Sequence, residues 1–201
     1  MIVFHGANYL VLRTEGALQA RARNTAFLTG LLSAVLFVLG GVWTYAGIDG
    51  YVATAGLDPA GPANPLLKTV EVVSGAWFRN YADLPVLWLV PALGILGTIG
   101  GALMIRANRA GLAFVLSSIA LLGIILTPLV SMFPFVMPSS TMPQAGLTLW
   151  DCTSSQLTLE IMLFVTLIFL PIVLVYTSWA YKVMSGKLST KYIEENTHSL
   201  Y

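Results

Sequence analysis

Charge is scarce in this chain. Lys, Arg, Asp and Glu together make up 9% of its 201 residues, whereas a soluble domain carries about 25%. That is too little to cover a soluble globule or to solvate a disordered chain, so both classes are excluded. Excess basic charge is also missing. Ten Lys and Arg face nine Asp and Glu, for a net charge of +1, and nothing here would hold a phosphate backbone. Cysteine is nearly absent. The single Cys152 cannot form an internal disulfide or build a Cys-rich metal site. No CxxC, GxGxxG, phosphate loop or nucleophile triad occurs. What is abundant is apolar surface, with 57% hydrophobic residues and a mean hydropathy of +0.81. The composition is that of an integral membrane protein.

A helix needs roughly 20 mostly apolar residues to cross the hydrocarbon core. Four charge-free windows reach that length: residues 25–45, 84–105, 110–132 and 161–181. A fifth apolar run, residues 2–12, spans only about half a bilayer before Arg13 stops it. Its arginines follow the apolar run instead of preceding it, so it is no secretory signal. It reads as the second half of a helix whose first half is missing. The expected fold class is therefore an all-α integral membrane protein with four full transmembrane helices plus one N-terminally truncated helix. Lipid requires every backbone group to be satisfied internally, which favours helices throughout.

Loop charges orient the chain. Arg13, Arg21 and Arg23, then Arg106 and Arg109, then Lys182, Lys187 and Lys191 fall in links expected on one side. Only Lys68 and Arg79 lie on the other. The positive-inside rule makes the C-terminus cytoplasmic and the two longer loops periplasmic. The expected organisation is a helical bundle over 1–181, a periplasmic loop over 46–83 and a cytoplasmic tail over 182–201. Trp43, Tyr45, Trp88, Phe133, Phe135, Tyr176, Trp179 and Tyr181 fall at span ends, where aromatic rings prefer the headgroup level.

Local patterns add detail. Gly94, Gly97 and Gly101 share one helix face and predict close helix packing, within the chain or onto a partner. Leu66, Val70, Val73 and Trp77 follow Pro59, Pro62 and Pro65 at helical spacing and predict an interfacial helix in the 46–83 loop. Asp83 with Pro85 suits a helix start. Pro134, Pro138 and Pro143 keep the 133–160 segment irregular. Thr153 and Gln156 match a capping box ahead of the last span. Asp151 reads as part of that capped start. Glu160, one turn into the helix, is either an interfacial carboxylate or a functional one, since intramembrane carboxylates are costly. Pro91, Pro128 and Pro171 inside spans read as packing features that neighbouring helices accommodate. His5 could ligate a haem but fits a structural role better. Arg13 and Glu15 read as a solvated pair, and His198 sits in a polar tail.

Several stretches carry a family resemblance. MFPFVMPSSTMPQAGLTLWDCTSSQLTL, GANYLVLRTEGALQARAR, GIDGYV, WLVPALG and the closing YIEENTHSLY resemble, in order along nearly the whole chain, subunit II of cytochrome bd-type quinol oxidases. Members of that family are about twice this length, so the likeness covers their C-terminal half. The resemblance implies a bacterial inner-membrane subunit that partners a subunit I holding b- and d-type haems and the quinol site. It implies support of quinol oxidation and reduction of dioxygen to water. It carries no catalytic, cofactor-binding or metal-ligating residue onto this chain. The polar residues tied to proton and oxygen paths belong to the N-terminal half. The expected partners are subunit I, that other half, membrane lipids and the quinol pool. A structural quinone or lipid is a further expected ligand. Cys152 and Glu160 depart from the family pattern, which puts a small and an uncharged residue there. Two other readings stay open: a nonfunctional truncated fragment, and a small membrane transporter, which would need polar residues lining a path that these spans scarcely hold.

Overall fold

A computed structural model of the chain describes residues 1–58, 61, 64–183, 185–187 and 189. Pro59, Pro62, Lys191, His198 and the closing 192–201 stretch lie outside the described residues.

The helix α1 (Ile2–Arg13) is stopped where Thr14 turns extended, with its N–H and hydroxyl both donating to the Leu10 carbonyl. Gln19 Nε2 donates to the carbonyls of Val11 and Thr14, satisfying acceptors that a helix C-terminus leaves orphaned. Gly16, at φ +67°, then opens α2 (Gly16–Gly47). At 32 residues α2 is about 48 Å long, longer than its charge-free window. The extension carries Arg21, which is exposed, and Arg23, which is half-buried.

The small residues Ala22, Ala26, Gly30 and Ala34 are the buried ones on α2. Their spacing of four forms one stripe, against which α1 and α4 (Leu89–Arg106) pack. At Gly30 a Cβ would sit 2.8 Å from the Phe4 ring and 3.1 Å from the Ala102 Cβ. Phe4, Val11, Ala26, Ala102, Ile105 and Ala113 are among the residues of a continuous core shared by α1, α2, α4 and α5 (Ala110–Met132). A tight turn with Asn108 at φ +59° makes α4 and α5 antiparallel neighbours. Gly94, Gly97 and Gly101 are buried, and all three face α5. The glycine pattern therefore serves packing within the chain. Pro91 proves to stand in the first turn of α4, after a 3-10 turn over Pro85–Trp88.

At one end of the bundle lie α1's C-terminus, α2's N-terminus and the α4–α5 turn. This arginine end also holds Lys187, which pairs with Glu15 at 3.7 Å, and Gly186, whose carbonyl accepts from Arg13 Nη1 at 3.3 Å. The expected Arg13–Glu15 pair is thus replaced by separate partners. The other end carries the loops. There β1 (Asp49–Ala55) pairs antiparallel with β2 (Thr69–Ser74), in register Gly50↔Val73 and Val52↔Glu71, with an irregularity between Ala53 and Ala55. A short helix α3 (Arg79–Asp83) follows. Beyond α5, β3 (Phe135–Met137) pairs with β4 (Leu147–Thr148), and α6 (Leu149–Cys152) precedes α7 (Gln156–Val183).

Two expectations are corrected here. The interfacial helix over the 46–83 loop is a β-hairpin. The run Thr69–Ser74, with sequence TVEVVS, is rich in β-branched residues, which favour a pleated strand once a partner strand is present. Of the four residues at helical spacing, Val70 is buried on β2, Trp77 is buried in a 3-10 turn, and Leu66 and Val73 are exposed. The capping box lies at Thr148–Asp151, not Thr153–Gln156. Helix α7 begins at Gln156, so Thr153 stands two positions ahead of its cap position and instead ends α6.

Among the described residues four helices, Gly16–Gly47, Pro85–Arg106 with its leading turn, Ala110–Met132 and Gln156–Val183, are long and apolar enough to cross a membrane. Helix α7 differs from the rest in having no buried residue along its 28 positions.

Candidate functional site

The polar groups of this apolar chain gather in three places. Inside the bundle, His5 Nδ1 lies 2.8 Å from Ser117 Oγ, and its ring stacks on Phe114 with centroids 4.8 Å apart. Ser117 Oγ also donates to the Phe114 carbonyl. His5 is thus held between Ser117 and the Phe114 ring inside the bundle. One turn on, Asn8 is fully buried, and neither atom of its amide has a hydrogen-bond partner. Thr98 is satisfied by the Gly94 carbonyl at 2.7 Å. Among the described residues no group of three or more His, Cys, Asp or Glu is placed to hold a metal.

The second place is the C-terminus of α5. Asn80 Nδ2 donates to the carbonyls of Val130 and Phe133, at 2.8 and 2.7 Å. Tyr81, 1% exposed, donates from its hydroxyl to the Thr127 carbonyl and accepts from Ser131. These side chains satisfy helix-end carbonyls in a segment where Pro128 and Pro134 have removed donors. Above them the rings of Tyr45, Phe78, Tyr81 and Trp88 lie against one another with centroids 5.0 to 6.1 Å apart. Beside this cluster the loop end of α2 stands away from α4 and α5. A cavity of about 610 Å³ opens there, lined by Phe37, Val42, Tyr45, Phe78 and Trp88 among others. A second, of about 430 Å³, lies on the other side of Phe37 and Phe78. Gly40 and Gly41 have nothing within 4 Å of where a Cβ would stand. Such volumes with mostly apolar linings suit a membrane-soluble ligand.

The third place joins the two long loops. Lys68 Nζ donates to Asp151 Oδ2 at 2.7 Å and to the Pro65 carbonyl at 2.9 Å, with side-chain exposures of 0% and 8% for the ion pair. The same Asp151 oxygen accepts from the Thr148 N–H and hydroxyl at 2.9 and 2.6 Å. Burial pushes the Asp151 carboxyl up, but the bonds from Lys68 and Thr148 and the Lys68 charge outweigh it, and the group lies below its usual range. Asp151 caps α6, not the last span whose start it was expected to belong to, and it is half of a buried ion pair besides. Lys68, counted in the sequence only as a loop charge, was missed. Its one legible signal was that it and Asp151 are isolated opposite charges in loops at the same end. Glu160 is exposed and accepts from Gln156 Nε2 at 2.9 Å, and Cys152 is exposed.

A family model for cytochrome bd terminal oxidase subunit II matches residues 1–184. The chain belongs to that family. A probable cytochrome oxidase subunit 2 from Haemophilus influenzae is 46% identical over all 201 residues, which cover 53% of the relative. The cytochrome bd-I ubiquinol oxidase subunit 2 of Escherichia coli K12 is 49% identical over the same span, again 53% of its length. The chain thus spans about half the length of the curated relatives it matches. As a member of that family it is a multi-pass inner-membrane protein.

Proposed function

We propose that this chain works as the C-terminal half of subunit II in a cytochrome bd quinol:oxygen oxidoreductase. In that role it supports the haem-bearing subunit I while subunit I oxidises quinol and reduces dioxygen to water. It contributes packing and outer-loop structure, and no haem ligand. The observation that carries this reading is the contrast between α7, bare on every face, and the closed cluster of α1, α2, α4 and α5. A chain built this way has surface left for other helices, namely those of the other half of subunit II and of subunit I. The arginine end faces the cytoplasm, together with the 182–201 tail, and the loops face the periplasm. That orientation accords with the grouping of eight of the ten basic residues. The cavity of about 610 Å³ beside Trp88 is the place for a structural quinone or lipid.

The test is an immunoblot against the THSLY tail in native membranes, followed by purification through that tail. Co-purification with a haem-containing partner supports the reading. A chain that runs alone, without haem in its complex, refutes it and favours the nonfunctional fragment. Solute flux in liposomes holding this chain without a haem partner would instead favour the transporter.

A further inference from the structure

The last span has almost nothing to hold it. Helix α7 buries no residue. At the arginine end its continuation meets the bundle through an ion pair whose side chains are 57% and 51% exposed, Lys187–Glu15, and through the long Arg13–Gly186 bond. Exposed contacts of this kind contribute little. At the loop end the situation is opposite. Three residues, Thr153–Ser155, separate α7 from α6, and α6 is gripped through Asp151 by Lys68 with both side chains buried. Lys68 in turn is fixed by its bond to the Pro65 carbonyl. The turn holding Pro65 is capped by Asn64 Oδ1, which accepts from the Leu66 N–H at 3.0 Å. Gly56, at φ +77°, lets the end of β1 lie against the Leu67 backbone, where a Cβ would collide. On the Asp151 side, the Leu149 N–H donates to the Pro134 carbonyl at 2.9 Å, which anchors α6 to the end of α5.

We propose that Lys68, Asp151 and Thr148 form a latch between the two long loops that sets where the last span stands relative to the bundle. This goes beyond the proposed role in the oxidase and does not depend on it, because the latch lies wholly within this chain.

The experiment uses full-length subunit II in its assembled complex, read by amide hydrogen exchange and by spin-label distances. In the unaltered protein the amides of residues 147–152 exchange at least ~100-fold slower than in an unfolded peptide; exchange within about tenfold of that reference overturns the latch without any variant. Lys68→Met and Asp151→Asn each strand one half of a buried pair, and speed exchange of this segment at least ~30-fold. The double variant Lys68→Met/Asp151→Asn leaves no unpaired charge and keeps an Asn Oδ1 acceptor for the Thr148 N–H and hydroxyl, so exchange returns to within about fivefold of the unaltered protein. Spin labels at Ala55→Cys and Met162→Cys, in a Cys152→Ala background, give one narrow distance that broadens in Lys68→Met and narrows again in the double variant. A distance unchanged by Lys68→Met, or a double variant as loose as the single ones, overturns the proposal.

Discussion

Glycine 123 is where the bundle tolerates least. A Cβ there would lie 2.5 Å from the Gly94 nitrogen, 2.8 Å from the Val90 carbonyl oxygen and 2.9 Å from the Gly94 Cα. All three are backbone atoms of α4, so no side chain can rotate away. Gly123→Ala therefore forces α4 and α5 apart by about 1 Å at their crossing, which spoils contacts along a close-packed seam. Overpacking of this kind costs about 1–3 kcal/mol, and the absence of a side-chain escape places Gly123→Ala at the upper end. Gly40→Ala is the control. It too is in a long helix, but nothing lies within 4 Å of its added methyl, so it should leave stability within about 0.5 kcal/mol of the parent. The assay is reversible unfolding of the full-length subunit in mixed detergent micelles, following helix content against SDS fraction. A Gly123→Ala variant as stable as Gly40→Ala would refute the close-crossing argument, since it would mean that the two backbones can separate at no cost.

Other outcomes follow from the same geometry. The Asp151 carboxyl is held below its usual range, so its stabilisation is complete above the ordinary carboxylate pKa and is lost as pH falls through the depressed one. Trp150, packed edge-on against Phe133 at 5.9 Å, should keep constant fluorescence from neutral pH down to about pH 4 and change only below it; a midpoint above about pH 5 contradicts the pairing. The groups facing this carboxyl are Lys68 and Thr148, with Asp58 across a shared cavity of about 80 Å³. Asn80→Ala removes two bonds to the end of α5 and should cost about 1–2 kcal/mol in the same detergent titration, whereas an unchanged midpoint would mean that those carbonyls find water instead. His5→Phe should leave the haem absorbance of the purified complex unaltered, as the proposal that this chain supplies no haem ligand requires. Loss of a haem band would reverse that assignment.

Membrane insertion and the number of spans were legible in the linear chain because lipid acts on composition over windows of about 20 residues. The grouping of Gly94, Gly97 and Gly101 was legible too, since helical periodicity puts them on one face. Which surface they meet was not. That depended on Gly123, Ala120 and Ala113 arriving opposite Gly94, Gly97 and Gly101 through the Asn108 turn. The hairpin was misread for a related reason. TVEVVS fits a helical spacing as easily as a strand, and the choice was made by a partner strand fourteen or more residues upstream, which supplies the ladder bonds.

Sequence alone decided that this chain lives in a bilayer, that its charges segregate to one set of links, and which family it resembles. Each of these depends on residue type, or on residue order along the chain. Tertiary structure alone decided that Lys68 meets Asp151 across 83 positions, that His5 is occupied by Ser117 and Phe114 across 112 and 109, and that α7 stands bare. A buried pair is fixed by where two loops converge, and burial is a property of neighbours. Neither leaves a mark on the local pattern of the residues concerned.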